Sequence, residues 1–290
     1  MDRRELLTAA AVAAFGIRAV DAAPLRRSQI EESLVFVWSM HQDDGGFRPA
    51  PAAGLSTLGS VVAGTRATRY FKGALKSRET LAKFVQSCHA EAGGFADRPG
   101  MQPDLRSTAM GLMALKELDT PLAEIGKHFA AYFDREAKTA PEIYIAAAAL
   151  HAAEIPPANP ARWLEVYRAT RTGEGTYGPT AGDSARAAVT FLRLGAELPE
   201  RDALIANIKR AQTPEGGFRG AAGPDLVASY PCMRAMSLLK VRPDVDAMRR
   251  FVAACRGADH GYGSAPGQPS ALSPTYYAAI ISHWLDEFEA

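Results

Sequence analysis

The sequence predicts an all-α protein, six helix pairs closed into a double ring, an (α/α)6 toroid. Three observations predict it. A Gly-Gly-aromatic turn recurs at near-constant spacing, an apolar face at helical spacing precedes each turn, and a segment crowded with small residues follows it.

The turns set the register. They read Asp44-Gly45-Gly46-Phe47, Ala92-Gly93-Gly94-Phe95, Gly175-Thr176-Tyr177, Glu215-Gly216-Gly217-Phe218 and His260-Gly261-Tyr262. Successive aromatics are 48, 82, 41 and 44 residues apart. Because 82 is twice 41, a further unit is hidden between Phe95 and Tyr177. It occupies Pro121 to Ile155; its turn has lost the glycines, and Pro141 opens its second apolar segment.

The first helix of each unit comes next. Seven residues before each aromatic stand Met40, Cys88, Thr170, Ala211 and Cys255; ten before, Val37, Val85, Tyr167, Ile208 and Val252; fourteen before, Ser33, Leu81, Trp163, Leu204 and Met248. Offsets of three and four place these columns on one helical face. These helices are expected to form the outer wall.

After each turn, a Gly-, Pro- and Ala-rich loop leads to a second segment opened by capping-type residues. These are Asp104 through Thr108, Asp183-Ser184, Asp225 with Ser229, and Ser273-Pro274-Thr275. Small residues such as Ala146 to Ala149 and Ala278-Ala279 suit helices crowded on the inside of a ring. One helix pair cannot bury its apolar face alone, so neighbouring units must cover it, and closure spares both ends a capping repeat. Residues 24–290 are therefore expected to form a single toroid domain.

Bulk properties exclude several functions. The chain has 33 basic and 32 acidic residues, a net charge of +1, and no long basic run, so no nucleic-acid footprint is present. Cys88, Cys232 and Cys255 are too few and too dispersed for a disulfide framework or a CxxC metal knuckle, and one must stay unpaired within the chain.

Arg3-Arg4 directly precedes a modest apolar stretch, Leu6 to Ile17, and an Ala-rich tail ending near Ala22-Ala23-Pro24. Residues 1–23 resemble a twin-arginine signal peptide, which implies export to a bacterial periplasm. The apolar stretch falls short of the roughly twenty residues that span a bilayer, so it is no stable membrane anchor.

Six helix pairs joined by Gly-Gly-Phe turns resemble the α/α toroid shared by protein prenyltransferase β subunits and terpenoid cyclases. The segment Phe84-Val85-Gln86-Ser87-Cys88-His89, continuing to Gly93-Gly94-Phe95-Ala96-Asp97-Arg98-Pro99-Gly100, is similar to the repeat of geranylgeranyltransferase type II β subunits. The likeness covers about Ile30 to Leu285.

The resemblance implies a zinc ion held by an Asp and a Cys at the fifth inner helix and a His at the sixth. Here Ala228 and Tyr230 stand at the first two positions, and Ser273 or Pro274 at the third, so no metal ligands are expected. Of the diphosphate-gripping cations that follow the fifth turn in the family, only Arg219 is present, at an unmatched offset. The Asp-x-Asp-Asp motif of the cyclases does not occur, and Asp43-Asp44 lies in a turn that solvation explains.

Cavity-lining candidates are Asp104, Arg106, Asp183, Arg186, Asp225, Tyr230, Arg234, Tyr276 and Tyr277. The aspartates open inner helices, where capping explains them, but family active sites lie on the same rim. Arginines would hold an anion and aromatics an apolar chain, although ordinary packing accounts for them equally well. No catalytic residue is assigned.

Three functions stay open. One is a toroid that binds an apolar, isoprenoid- or lipid-like ligand without zinc-dependent transferase activity or a cofactor. Another is a divergent prenyltransferase or cyclase. The third is a carbohydrate-active (α/α)6 enzyme, which would need Asp104, Asp183 and Asp225 to converge. Export argues against the helical partner subunit of the prenyltransferases, which is cytosolic.

Overall fold

The aromatic of every Gly-Gly turn is driven into the protein: Phe47, Phe95, Tyr177, Phe218 and Tyr262 are all buried. Burial holds the turn shut, and backbone pairing between the aromatic and the residue six before it recurs as His41 with Phe47, His89 with Phe95, Gln212 with Phe218 and Arg256 with Tyr262. The structure, a computed structural model, describes residues 22–90, 93–122 and 126–290. Most of the twin-arginine segment thus lies outside the described residues.

In chain order the elements are α1 (Arg27–Ser39), α2 (Leu58–Tyr70), α3 (Arg78–Ser87), α4 (Leu105–Glu117), α5 (Gly126–Glu136), α6 (Ala140–Ala152), α7 (Pro160–Ala169), then the short hairpin β1 (Arg171–Gly173) and β2 (Thr176–Tyr177). There follow α8 (Ala181–Arg193), α9 (Arg201–Arg210), α10 (Leu226–Leu239), α11 (Val245–Ala254) and α12 (Leu272–Glu287). The hairpin is the fourth unit's version of the turn, with Arg171 paired to Tyr177.

Even-numbered helices pack on one another in sequence, α2 on α4, α6, α8, α10 and α12 in turn, and α12 returns to pack on α2. That return closes the ring. Odd-numbered helices lie outside it. Of the three outer-helix columns only Thr170 and Ala211 keep appreciable exposure; the rest are buried.

Polar groups fix the turn to the inner helix. The backbone N–H of Phe95 donates to Thr108 Oγ1 at 3.0 Å, that of Tyr177 to Ser184 Oγ at 3.0 Å, that of Phe218 to Ser229 Oγ at 2.9 Å and that of Tyr262 to Thr275 Oγ1 at 3.0 Å. A buried amide left unpaired would cost about 1–3 kcal/mol, so these hydroxyls are structural. Glycine is required where the turn touches the next outer helix: Gly216 has φ +105°, and a Cβ there would sit 1.9 Å from the Ala247 carbonyl oxygen.

Inner-helix N-termini are stitched to the following unit. Leu58 N–H donates to Asp97 O at 2.8 Å and Leu226 N–H to Ser264 O at 2.7 Å. Across the seam Leu272 N–H donates to Pro49 O at 2.9 Å, Ser33 Oγ donates to His260 O at 2.9 Å, and Arg256 bonds Glu32 at 2.8 Å.

Two helix starts differ from the sequence expectation. Thr180, not Asp183, caps α8; Asp183 sits three residues in and accepts a hydrogen bond from the Thr180 amide at 3.1 Å, completing a capping box. Ser273 lies inside α12, whose N-cap is Ala271 without a side-chain bond. There the first-unit carbonyl of Pro49 satisfies Leu272, the first residue of the helix, in place of a side chain. The glycine-less unit folds as expected, α5 and α6 joined through Thr139 and Glu142 in a capping box with Pro141 in the first turn.

Candidate functional site

The aspartates of the rim are spent on backbone. Asp104 caps α4 by accepting from Ser107 N at 2.8 Å, Asp225 caps α10 by accepting from Ala228 N at 2.6 Å, and Asp183 accepts from Thr180 and pairs with Arg186 at 2.9 Å. Each is committed to its own helix end, so the structure does not make an acid–base pair of them. Arg106 is exposed one residue into the first turn of α4. Asp44 likewise accepts from Gly46 N and Ser56 Oγ, both at 2.8 Å.

The remaining candidates meet inside the ring. Tyr230 stacks on Tyr277 with centroids 4.7 Å apart and lies 5.7 Å from Tyr276 and 5.9 Å from Trp284. Its hydroxyl is 3.2 Å from that of Tyr276 and accepts from Arg234 Nη2 at 3.3 Å. The Arg234 guanidinium also lies over Trp284, 4.8 Å from the ring centre.

Residues the sequence reading passed over complete the group. Arg66 on α2 bonds Glu117 at the end of α4 at 2.9 Å, and the same carboxylate takes Arg69 at 3.0 Å. Arg193, the last residue of α8, lies over Tyr144 of α6 at 5.5 Å. Arg66, Tyr144, Arg193, Tyr230 and Arg234 sit deep in the protein and are partly buried by area.

Charge shapes the chemistry of this cluster. Burial opposes ionisation of Tyr230, but the guanidiniums of Arg234 and Arg66, the hydrogen bond with Tyr276 and the charge of Arg193 outweigh it and bring the phenol down to about 7. Tyr276 moves the other way, held neutral by burial and by the charge on Tyr230. Burial also depresses Arg193, against the pull of Tyr144, and Arg234 and Arg66 add to that depression.

A register signal does point to these residues. Tyr144, Tyr230 and Tyr276 each stand five residues beyond their helix caps, Thr139, Asp225 and Ala271, and Arg66 and Arg234 nine beyond Thr57 and Asp225. Counting from caps rather than from turn aromatics would have aligned them.

The donor set does not fit zinc. Tyr230 faces arginines and tyrosines, Ala228 carries no donor, and among the described residues no three His, Cys, Asp or Glu side chains gather in coordinating reach. Cys88, Cys232 and Cys255 are unpaired, and burial pushes each thiol up to about 12, far from a reactive thiolate.

A closed double ring of helices around a cluster of aromatic side chains defines the class, an α/α toroid. The prenyltransferase alpha-alpha toroid domain matches residues 55–133 and 143–288, and the chain belongs to that family. Protein geranylgeranyltransferase-I from Candida albicans, complexed with GGPP, is similar with a TM-score of 0.67 and 13% identity over 87% of this chain and 90% of that one. Type II terpene cyclase MstE from Scytonema, in complex with geranylgeranyl dihydroxybenzoate, is similar with a TM-score of 0.64 and 13% identity over 90% and 97%. A glycosidase follows with a TM-score of 0.59 and 13% identity over 90% and 96%. At such identity the likeness is one of fold. No match was found among curated protein sequences.

Proposed function

We propose that this toroid is exported and binds an apolar, isoprenoid- or lipid-like ligand in its chamber, without zinc-dependent transfer. The observation that carries the reading is the cluster of Tyr230, Tyr276, Tyr277 and Trp284 inside the ring, rings with flat apolar faces and, on the tyrosines, polar tips. Support comes from the fold's occupants elsewhere, GGPP in the geranylgeranyltransferase and geranylgeranyl dihydroxybenzoate in the cyclase.

Mass spectrometry of the full chain purified from its native host is expected to find a co-purified isoprenoid or lipid, and the stripped protein to bind geranylgeraniol. Protein that carries no such molecule and does not bind geranylgeraniol overturns the reading. Export is tested separately by replacing Arg3 and Arg4 with lysine, which should leave the protein in the cytoplasm; unchanged export refutes the signal.

A second reading, catalysis on an isoprenoid, is favoured by Tyr230, a buried phenol able to trade a proton near neutral pH. Incubation with geranylgeranyl diphosphate would then yield a product that Tyr230→Phe suppresses. Recovery of unchanged substrate from the wild-type protein removes this reading and leaves the first intact.

A further inference from the structure

We infer that a groove on the face of α2 turned away from the aromatic cluster is a second binding site, which takes a small organic dianion, a phosphate monoester or a dicarboxylate, between Arg69 and Lys72 with Arg78 beside them. The inference stands apart from the apolar-ligand reading.

Helical register separates the two places. α2 turns Arg66 and Tyr70 inward, where Tyr70 lies 6.1 Å from Tyr276 and 5.4 Å from His283. Thr65, Thr68, Arg69 and Lys72, at offsets of three, four and seven from the first, share another face. With the connector to α3, Arg78 at the start of that helix, and Glu117 and Asp119 at the end of α4, they line a cavity of about 520 Å³. Small-molecule sites commonly run from about 300 to 1,000 Å³. A bare inorganic ion would leave most of this space empty, so the ligand carries an organic body, for which Ala74 and Leu75 offer an apolar wall.

Charge decides the ligand class. Glu117, its side chain only 7% exposed, lies between two guanidiniums, Arg66 at 2.9 Å and Arg69 at 3.0 Å. Arg66 is 14% exposed and needs that carboxylate, because an unpaired buried charge is costly; Arg69 is 64% exposed and does not. Arg78 is balanced by Asp119 at 2.5 Å. Among the described residues no carboxylate lies within ion-pair distance of Lys72. Two positive charges therefore remain on the groove, those of Arg69 and Lys72, and a phosphate monoester or a dicarboxylate cancels both.

Donor geometry agrees. Arg69 and Arg78 each meet their carboxylate through Nη1 alone, which leaves the rest of each guanidinium fork for ligand oxygens. The dipole at a helix C-terminus accounts for one cation in a last turn, as with Lys116 on α4. It does not account for three gathered around one cavity.

The test is calorimetric titration of the full chain with glycerol 3-phosphate and glutarate, set against glycerol and acetate. At least one dianion is expected to bind saturably and about tenfold to a hundredfold tighter than either control, the gain of one or two charge-assisted bonds. Which dianion wins separates phosphate from carboxylate. Lys72→Met and Arg69→Met should each lower its affinity about tenfold, and Arg69→Lys should retain part of it. Lys83→Met, which removes an exposed cation of α3 already paired with Glu79, should change nothing.

Should Arg69→Met fail to fold, Lys72→Met carries the test, since among the described residues the Lys72 side chain makes no ion pair that the change would strand. Equal affinity for dianions and controls, or dianion binding as tight in Lys72→Met as in the wild-type protein, overturns the site.

Discussion

The rim and the depth of the ring treat polar side chains in opposite ways. At the rim Asp104, Asp183, Asp225, Thr108, Ser229 and Thr275 each satisfy a named backbone amide or neighbouring side chain. In the depth Arg193 and Arg234 end on aromatic faces with donors unspent. Polar groups that close a turn explain the architecture; polar groups buried without a partner are costly to the fold.

The largest effect that would break this contrast lies in the turns. Gly216→Ala forces a Cβ into the Ala247 carbonyl oxygen and should cost more than about 4 kcal/mol in urea unfolding, whereas Gly223→Ala, at φ +138° with nothing within 4 Å, meets only backbone strain of about 1–3 kcal/mol. Similar losses at both sites would show that the close approach does not matter. Phe218→Ala empties a fully buried site and is expected to cost about 3–5 kcal/mol by the same measurement.

A smaller effect sharpens the other side. Tyr230 ionises near pH 7 in the folded chain and near 10 when unfolded, so between those values the unfolded chain holds the extra proton. Its contribution should therefore grow as pH rises from about 7 toward 10 and vanish as pH falls through 7. The groups that set this are Arg234, Arg66, Tyr276 and Arg193, against the burial that opposes ionisation. The urea midpoint should climb across that window in the wild-type protein and stay flat in Tyr230→Phe, with the matching tyrosinate absorbance absent from the variant.

The smallest expected effect belongs to the exposed wall. Arg27 and Glu31 pair at 2.8 Å with both side chains largely in water, and Arg27→Ala should leave the melting temperature unchanged within error.

Much of the ring could be read from the chain because its signals are local and repeated. The columns through Leu81, Trp163 and Met248 share a helical period, and Pro141 marks the glycine-less unit as clearly as the turns mark the others. Thr180 and Pro49 were missed because one cap bond is local but displaced by three residues and the other comes from the opposite end of the chain. Tyr230, Tyr276 and Tyr277 could be singled out because they lie near the starts of inner helices, and Arg234 because it follows one turn after Tyr230 on the same helix. Arg66 and Arg193 could not, since each looks like a surface charge until closure brings α2, α8 and α10 around one axis.

The bond from Leu272 to Pro49 has a further consequence for how the molecule comes together. An open stack of hairpins can grow from any point and fray from either end, but the contact between α2 and α12 joins partners more than 200 residues apart. Such a contact is slow to find and, once made, ties the first and last units of the described ring together. Assembly is expected to wait on that last contact, and opening of the finished circle to begin there.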